Sequence, residues 1–160
     1  MQSDEADERR REGDDEERPP GHERQVPGLR HRFVSDLKTI GIRTGLTTRQ
    51  IGLAMARAAL EVKAERVVLL DLRKISYSFD FFLICTASSD RMLKTVIEEI
   101  DEALSRQEVQ PLHREGKPES GWLLLDCGAV VAHAFLPDAR QFYDLERLWL
   151  DAPRVKIPKK

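Results

Sequence analysis

Two short, unbroken apolar runs constrain this chain more than anything else in it. Val67-Val68-Leu69-Leu70-Asp71-Leu72 and Phe79-Asp80-Phe81-Phe82-Leu83-Ile84-Cys85 are rich in strand formers and lack polar alternation. A strand with one wet face alternates, so runs of this kind predict strands buried on both faces. Such strands need covering layers, and the flanking sequence supplies them. Thr47-Thr48-Arg49-Gln50 resembles a capping box, and Ile51, Met55, Ala58 and Val62 follow at helical spacing, predicting a helix over 48–63. Ser88-Ser89-Asp90 caps a second helix over 90–107, whose stripe is Leu93, Val96, Ile97, Ile100, Ala103 and Leu104.

The rest of the pattern completes a sheet. Val109 to Leu112 reads as a short strand, with Pro111 marking an edge. Gly116 to Gly121 reads as a polar loop. Trp122–Cys127 and Val130–Leu136 read as a hairpin turning at Gly128. Pro137 suits the first position of a last helix, to which Phe142, Leu145, Leu148 and Trp149 give an apolar face. Alternating helices and strands in this order predict an α/β fold, a mixed sheet of about five strands covered by helices.

Charge divides the chain. Residues 1–24 hold ten acids and five arginines, a charge of −5, against −2 for all 160 residues, so residues 25–160 carry +3. A domain so near neutrality lacks the electrostatic footprint of a nucleic-acid binder, and no sequence-specific nucleic acid is expected. Residues 1–46 read as a disordered or weakly ordered extension. Large apolar side chains are nearly absent from residues 1–30, and Gly41 and Gly45 interrupt the helical spacing of Phe33, Leu37 and Ile40. The folded domain is expected over 47–154, followed by a basic tail over 155–160. No apolar run has the length of a membrane span. The N-terminus has no signal-peptide core and is too acidic for a transit peptide, which predicts a cytoplasmic protein. Cys85 and Cys127 sit in apolar runs, as buried thiols in a reducing compartment do.

The residues argue against most chemistry. No glycine-rich loop precedes a helix to cradle phosphate. Asp71, Asp80 and Asp126 are the strand-associated acids, and they stand singly without an Asp-x-Asp pair. A metal-dependent nucleotidyltransferase built on those three carboxylates is the enzymatic alternative. His113, His133, Cys85 and Cys127 lack metal-site spacing, and neither metal nor cofactor is expected. Alternation is more informative. It puts Trp122, Leu124 and Asp126 on one side of their strand and Val131, His133 and Phe135 on one side of the next. Those side chains suit a protein-binding patch anchored by the Trp122 indole. The same pattern also allows Trp122 in the core, with Asp126 merely ending its strand.

Three stretches carry a family resemblance. The first is Val68-Leu69-Leu70-Asp71-Leu72 with Asp80-Phe81-Phe82-Leu83-Ile84 and Ser88-Ser89-Asp90-Arg91. The second is Gly121-Trp122-Leu123-Leu124-Leu125-Asp126-Cys127-Gly128, running on to Val130-Val131-Ala132-His133-Ala134-Phe135. The third is Phe142-Tyr143-Asp144-Leu145-Glu146-Arg147-Leu148-Trp149 with Asp151-Ala152-Pro153. In this order they resemble the Iojap-like ribosomal silencing factors over residues 50 to 154. The resemblance implies a nucleotidyltransferase-like α/β fold without catalytic apparatus. It also implies a binding-only regulator that docks on the large ribosomal subunit through ribosomal protein number fourteen, excludes the small subunit and represses translation under nutrient limitation. Homodimers of the free protein are part of the same expectation. Trp122, Leu124, Asp126 and His133 are the expected partner-binding residues, with Asp126 pairing a basic side chain of the partner. Two positions depart from the family pattern: Ala129 stands where an acid commonly follows the hairpin glycine, and Ala87-Ser88 stands where a glycine is usual.

Overall fold

The computed structural model describes residues 44–159; the expectations for residues 1–43 lie outside them. α1 (Thr48–Glu61) begins at the capping box read from sequence. The Thr47 hydroxyl accepts the Gln50 amide, and the Gln50 side chain accepts the Thr47 amide. β1 (Glu65–Asp71) and β2 (Phe81–Thr86) come next, then α2 (Asp90–Ser105), capped by Ser89. β3 (His113–Glu115), a 3-10 turn (Pro118–Ser120), β4 (Trp122–Asp126) and β5 (Val130–Phe135) precede two short helices, α3 (Pro137–Tyr143) and α4 (Leu145–Leu148).

Among the described residues the strands form one mixed sheet in the order β1-β2-β5-β4-β3. Only β2 and β5 run parallel. β2, second in the sheet, is buried at every position, as its unbroken apolar run requires. β1 differs from expectation: it is an edge strand, and only Leu69 and Leu70 are fully buried. Its run is apolar because one side meets the helices and the other meets the C-terminal segment.

One side of the sheet packs on α1 and α2. Leu69, Phe81, Leu83, Leu123, Leu125 and Ala132 meet Ile51, Met55, Leu93, Val96, Ile100 and Leu104 there. Each large aliphatic side chain fully buried in this layer contributes roughly 1.5–3 kcal/mol. Gly52 lets α1 approach closely, since a Cβ at that position would lie 3.1 Å from a methyl of Leu69. The opposite side presents Leu70, Phe82, Ile84, Leu124, Val131 and Phe135. Leu145, Ala152 and Trp149 cover part of it.

Two expectations are corrected. Val109–Leu112 is not a strand. Val109 folds back to close α2, its amide bonding Leu104 O at 2.9 Å, and Pro111 has no amide to offer; pairing begins with Leu112 N to Asp126 O. The strand itself is His113-Arg114-Glu115, polar because it is an exposed edge, and an Arg114–Asp101 ion pair ties it to α2. The last helix is also not continuous. It breaks at Asp144, held at φ +44°, and Phe142 is 78% exposed instead of covered. Among the described residues no helix is long and apolar enough to cross a membrane.

Candidate functional site: an aromatic groove beside the hairpin

The β4–β5 hairpin is shaped at both ends by local chemistry. At its turn Gly128 sits at φ +89°, and its amide donates to Asp126 Oδ1 at 2.8 Å. At its open end the strand enters through Gly116 and the 3-10 turn. Gly116 lies at φ +95°, and a Cβ there would fall 2.2 Å from the Trp122 carbonyl oxygen, so only glycine allows this approach.

Antiparallel register sets Trp122 opposite Phe135, Leu124 opposite His133 and Asp126 opposite Val131. The Trp122 indole stacks on Phe135 at 5.0 Å between centroids and leans against Tyr143 at 4.6 Å. Its Nε1–H donates to His133 Nδ1 at 3.3 Å. An indole nitrogen can only donate, so Nδ1 is bare and the imidazole proton resides on Nε2. Burial pushes the His133 pKa down to about 3, which keeps the ring neutral. Nε2 has no hydrogen-bond partner among the described residues.

Trp122 stays half-buried because the cover stops short of it. Beside it opens a groove of about 760 Å³, floored by Trp122, Leu124 and Leu145 and walled by Phe142, Tyr143 and Leu148. Glu115, Lys117 and Glu119 stand on its polar rim. The four residues expected to bind a partner thus lie together, but in different roles. Trp122 reaches the groove. Leu124 lines its floor while nearly buried. Asp126 and His133 are both 0% exposed. The expected direct contact of Asp126 with a basic partner group is therefore corrected: its carboxylate is occupied with the hairpin turn, inside the protein.

Residues that sequence reasoning passed over hold the groove wall. Arg140 of α3 is 4% exposed. It donates to Arg66 O at 2.7 Å, to Thr86 Oγ1 at 2.9 Å, and through Nε and Nη2 to both Glu146 oxygens. Burial pulls the Glu146 carboxyl upward, but the Arg140 hydrogen bonds and charge, helped by Arg154 and Arg66, outweigh it and leave the group below its ordinary value. One guanidinium thereby fastens both short helices to the sheet. An arginine in a polar helix carries no sequence mark of this, since the partners are 74, 54 and 6 residues away.

The three carboxylates of the nucleotidyltransferase alternative have separate employment. Asp71 is held below its ordinary value, chiefly by the Arg73 side-chain bond, Asp80 accepts the Thr48 hydroxyl at 2.8 Å, and Asp126 serves the turn. Among the described residues no three His, Cys, Asp or Glu side chains converge as metal ligands. Burial raises both Cys85 and Cys127 to about 12, so neither thiol is poised as a nucleophile. Cys127 also packs in the helix-covered layer, on the side of the sheet away from His133.

The family model described as ribosomal silencing factor during starvation matches residues 46–160. The chain belongs to the ribosomal silencing factor family. A Bacillus subtilis ribosomal silencing factor is 41% identical over 106 residues, covering 66% of this chain and 90% of the relative. A Zea mays protein named Iojap, chloroplastic, is 35% identical over 105 residues, covering 66% of this chain and 46% of the relative. A crystal structure from Bacillus halodurans superposes with a TM-score of 0.56 at 36% identity, covering 64% of this chain and 93% of the other. One from Chromobacterium violaceum shares the fold at 23% identity with a TM-score of 0.57, covering 81% of this chain and 95% of the other. The matched region of the silencing factor family includes the whole hairpin, the groove and both short helices. The acidic segment 1–24 lies outside it.

Proposed function

We propose that this chain is a non-enzymatic silencing factor that binds the large ribosomal subunit, through ribosomal protein number fourteen, and sterically blocks joining of the small subunit in the cytoplasm. The observation that carries this reading is the half-buried Trp122, still open on one side at the floor of an open apolar groove whose wall residue Phe142 is 78% exposed. Aromatic anchors that lose their remaining water on docking dominate interface energetics. Occupying the joining surface suffices for silencing, so no cofactor and no chemistry are needed. Repression under nutrient limitation is part of the same proposal, supported by the description of the matching family model, ribosomal silencing factor during starvation.

The test is sedimentation with separated ribosomal subunits. Comigration with the large subunit alone, and fewer joined ribosomes, are the expected results. Trp122→Ala is expected to lose roughly 2–4 kcal/mol of binding while its circular dichroism stays native. Sizing of the free protein in the same preparation reports whether it is a homodimer. Failure to associate with large subunits would end the proposal.

A further inference from the structure

We infer that His133 is a positioning residue: its imidazole never meets the partner, but its Nδ1 holds the Trp122 indole at the angle that presents the ring to the groove. This rests on the docking role proposed for Trp122. His133 is the hydrogen-bonding side chain that fixes the indole. The other contacts of the ring, with Phe135 and Tyr143, are aromatic faces that permit sliding and rotation. The imidazole is itself wedged, with Phe82 packed edge-on at 4.7 Å and Phe135 parallel at 6.3 Å. β2 lies to one side of β5 and β4 to the other, so this wedge sets where the acceptor nitrogen points.

The histidine is a poor choice for stability. Its Nε2–H is buried without a hydrogen bond, a cost that a leucine or phenylalanine would not carry. What an apolar residue cannot supply is an acceptor for the indole. The two demands therefore separate: the core would accept replacement, and the orientation of Trp122 would not.

The experiment follows the two indole N–H signals, Trp122 and Trp149, by nitrogen–proton correlation in the full-length protein. Affinity for isolated large subunits is measured in parallel. In His133→Leu and His133→Phe the Trp122 signal is expected to move to the position of a free indole, with the Trp149 signal unmoved. The melting temperature should be unchanged or higher, and the Kd should rise about tenfold. Having two apolar variants keeps the test alive if one fails to fold. His133→Asn retains an acceptor near the Nδ1 position and is expected to stay within about threefold of the parent. An unmoved Trp122 signal in the apolar variants would overturn the inference, as would a moved signal with unchanged affinity. If Trp122→Ala loses binding while His133→Leu keeps it, the inference alone fails. If Trp122→Ala binds normally, the docking reading fails and this inference with it.

Discussion

The two sides of the sheet solve the same burial problem by different means. On one, α1 and α2 lay 14 and 16 residues of helix over aliphatic strands and leave little uncovered. On the other, α3 and α4 have 7 and 4 residues, and aromatic rings fill space that helix does not reach. The first arrangement spends its apolar surface on stability. The second keeps some in reserve at the groove, held in place by one buried arginine and one buried histidine. An exposed apolar patch needs polar scaffolding beneath it. Without that, the rings would collapse into whatever packing buried them best.

The largest blow to this contrast should come from Arg140→Ala. It leaves Glu146 partly buried without its main partner and frees both short helices, for a destabilisation of roughly 3–5 kcal/mol by analogy with broken buried ion pairs. Urea titration reads the stability loss, and affinity for the large subunit is expected to fall with it. Ile100→Ala, in the helix-covered layer, should cost about 3 kcal/mol of stability and leave the affinity of the folded fraction unchanged. If Ile100→Ala also weakened binding, the division of labour between the two sides would be wrong.

Acid gives a milder test. The folded His133 lies near 3, below its unfolded value of 6.5, so its contribution is fully present above pH 6.5 and is lost as pH falls from there toward 3. Between pH 7 and pH 5 this amounts to about 2 kcal/mol. Glu146, also depressed, acts in the same direction at lower pH. Stability measured by urea titration across this range should therefore drop, and His133→Leu should flatten the upper part of the curve. The smallest stability effect belongs to Phe142→Ser. An exposed ring should shift unfolding by no more than about 0.5 kcal/mol. Its affinity for the large subunit should nevertheless fall several-fold, a separation visible by comparing melting and sedimentation.

Much of the first side was legible in the sequence, because helix periodicity and continuous apolar strands both report burial directly. The caps at Thr47 and Ser89, the stripe of α2 and the hairpin at Gly128 all follow from short-range rules. Alternation also put Trp122, Leu124 and His133 on a common side. What alternation cannot say is whether that side is covered. His133 and Asp126 read as polar surface because their burial depends on Phe82, Phe135 and the hairpin turn together. Phe142 read as core because the break at Asp144 rests on a left-handed conformation at a residue that is not glycine. β3 was missed for the opposite reason, being a strand with no apolar residue to announce it.

After Asp151 the backbone runs alongside β1: Asp71 N bonds Pro153 O, Val155 N bonds Leu69 O, and Leu70 bridges Arg154. Bare strand rims are templates for cross-molecular pairing, and this length of chain occupies one of them. A version cut back to Asp151 would carry sticky, unsatisfied main-chain groups beside Leu69 and Leu70. Its first failing would then be precipitation at concentrations where the intact chain remains clear.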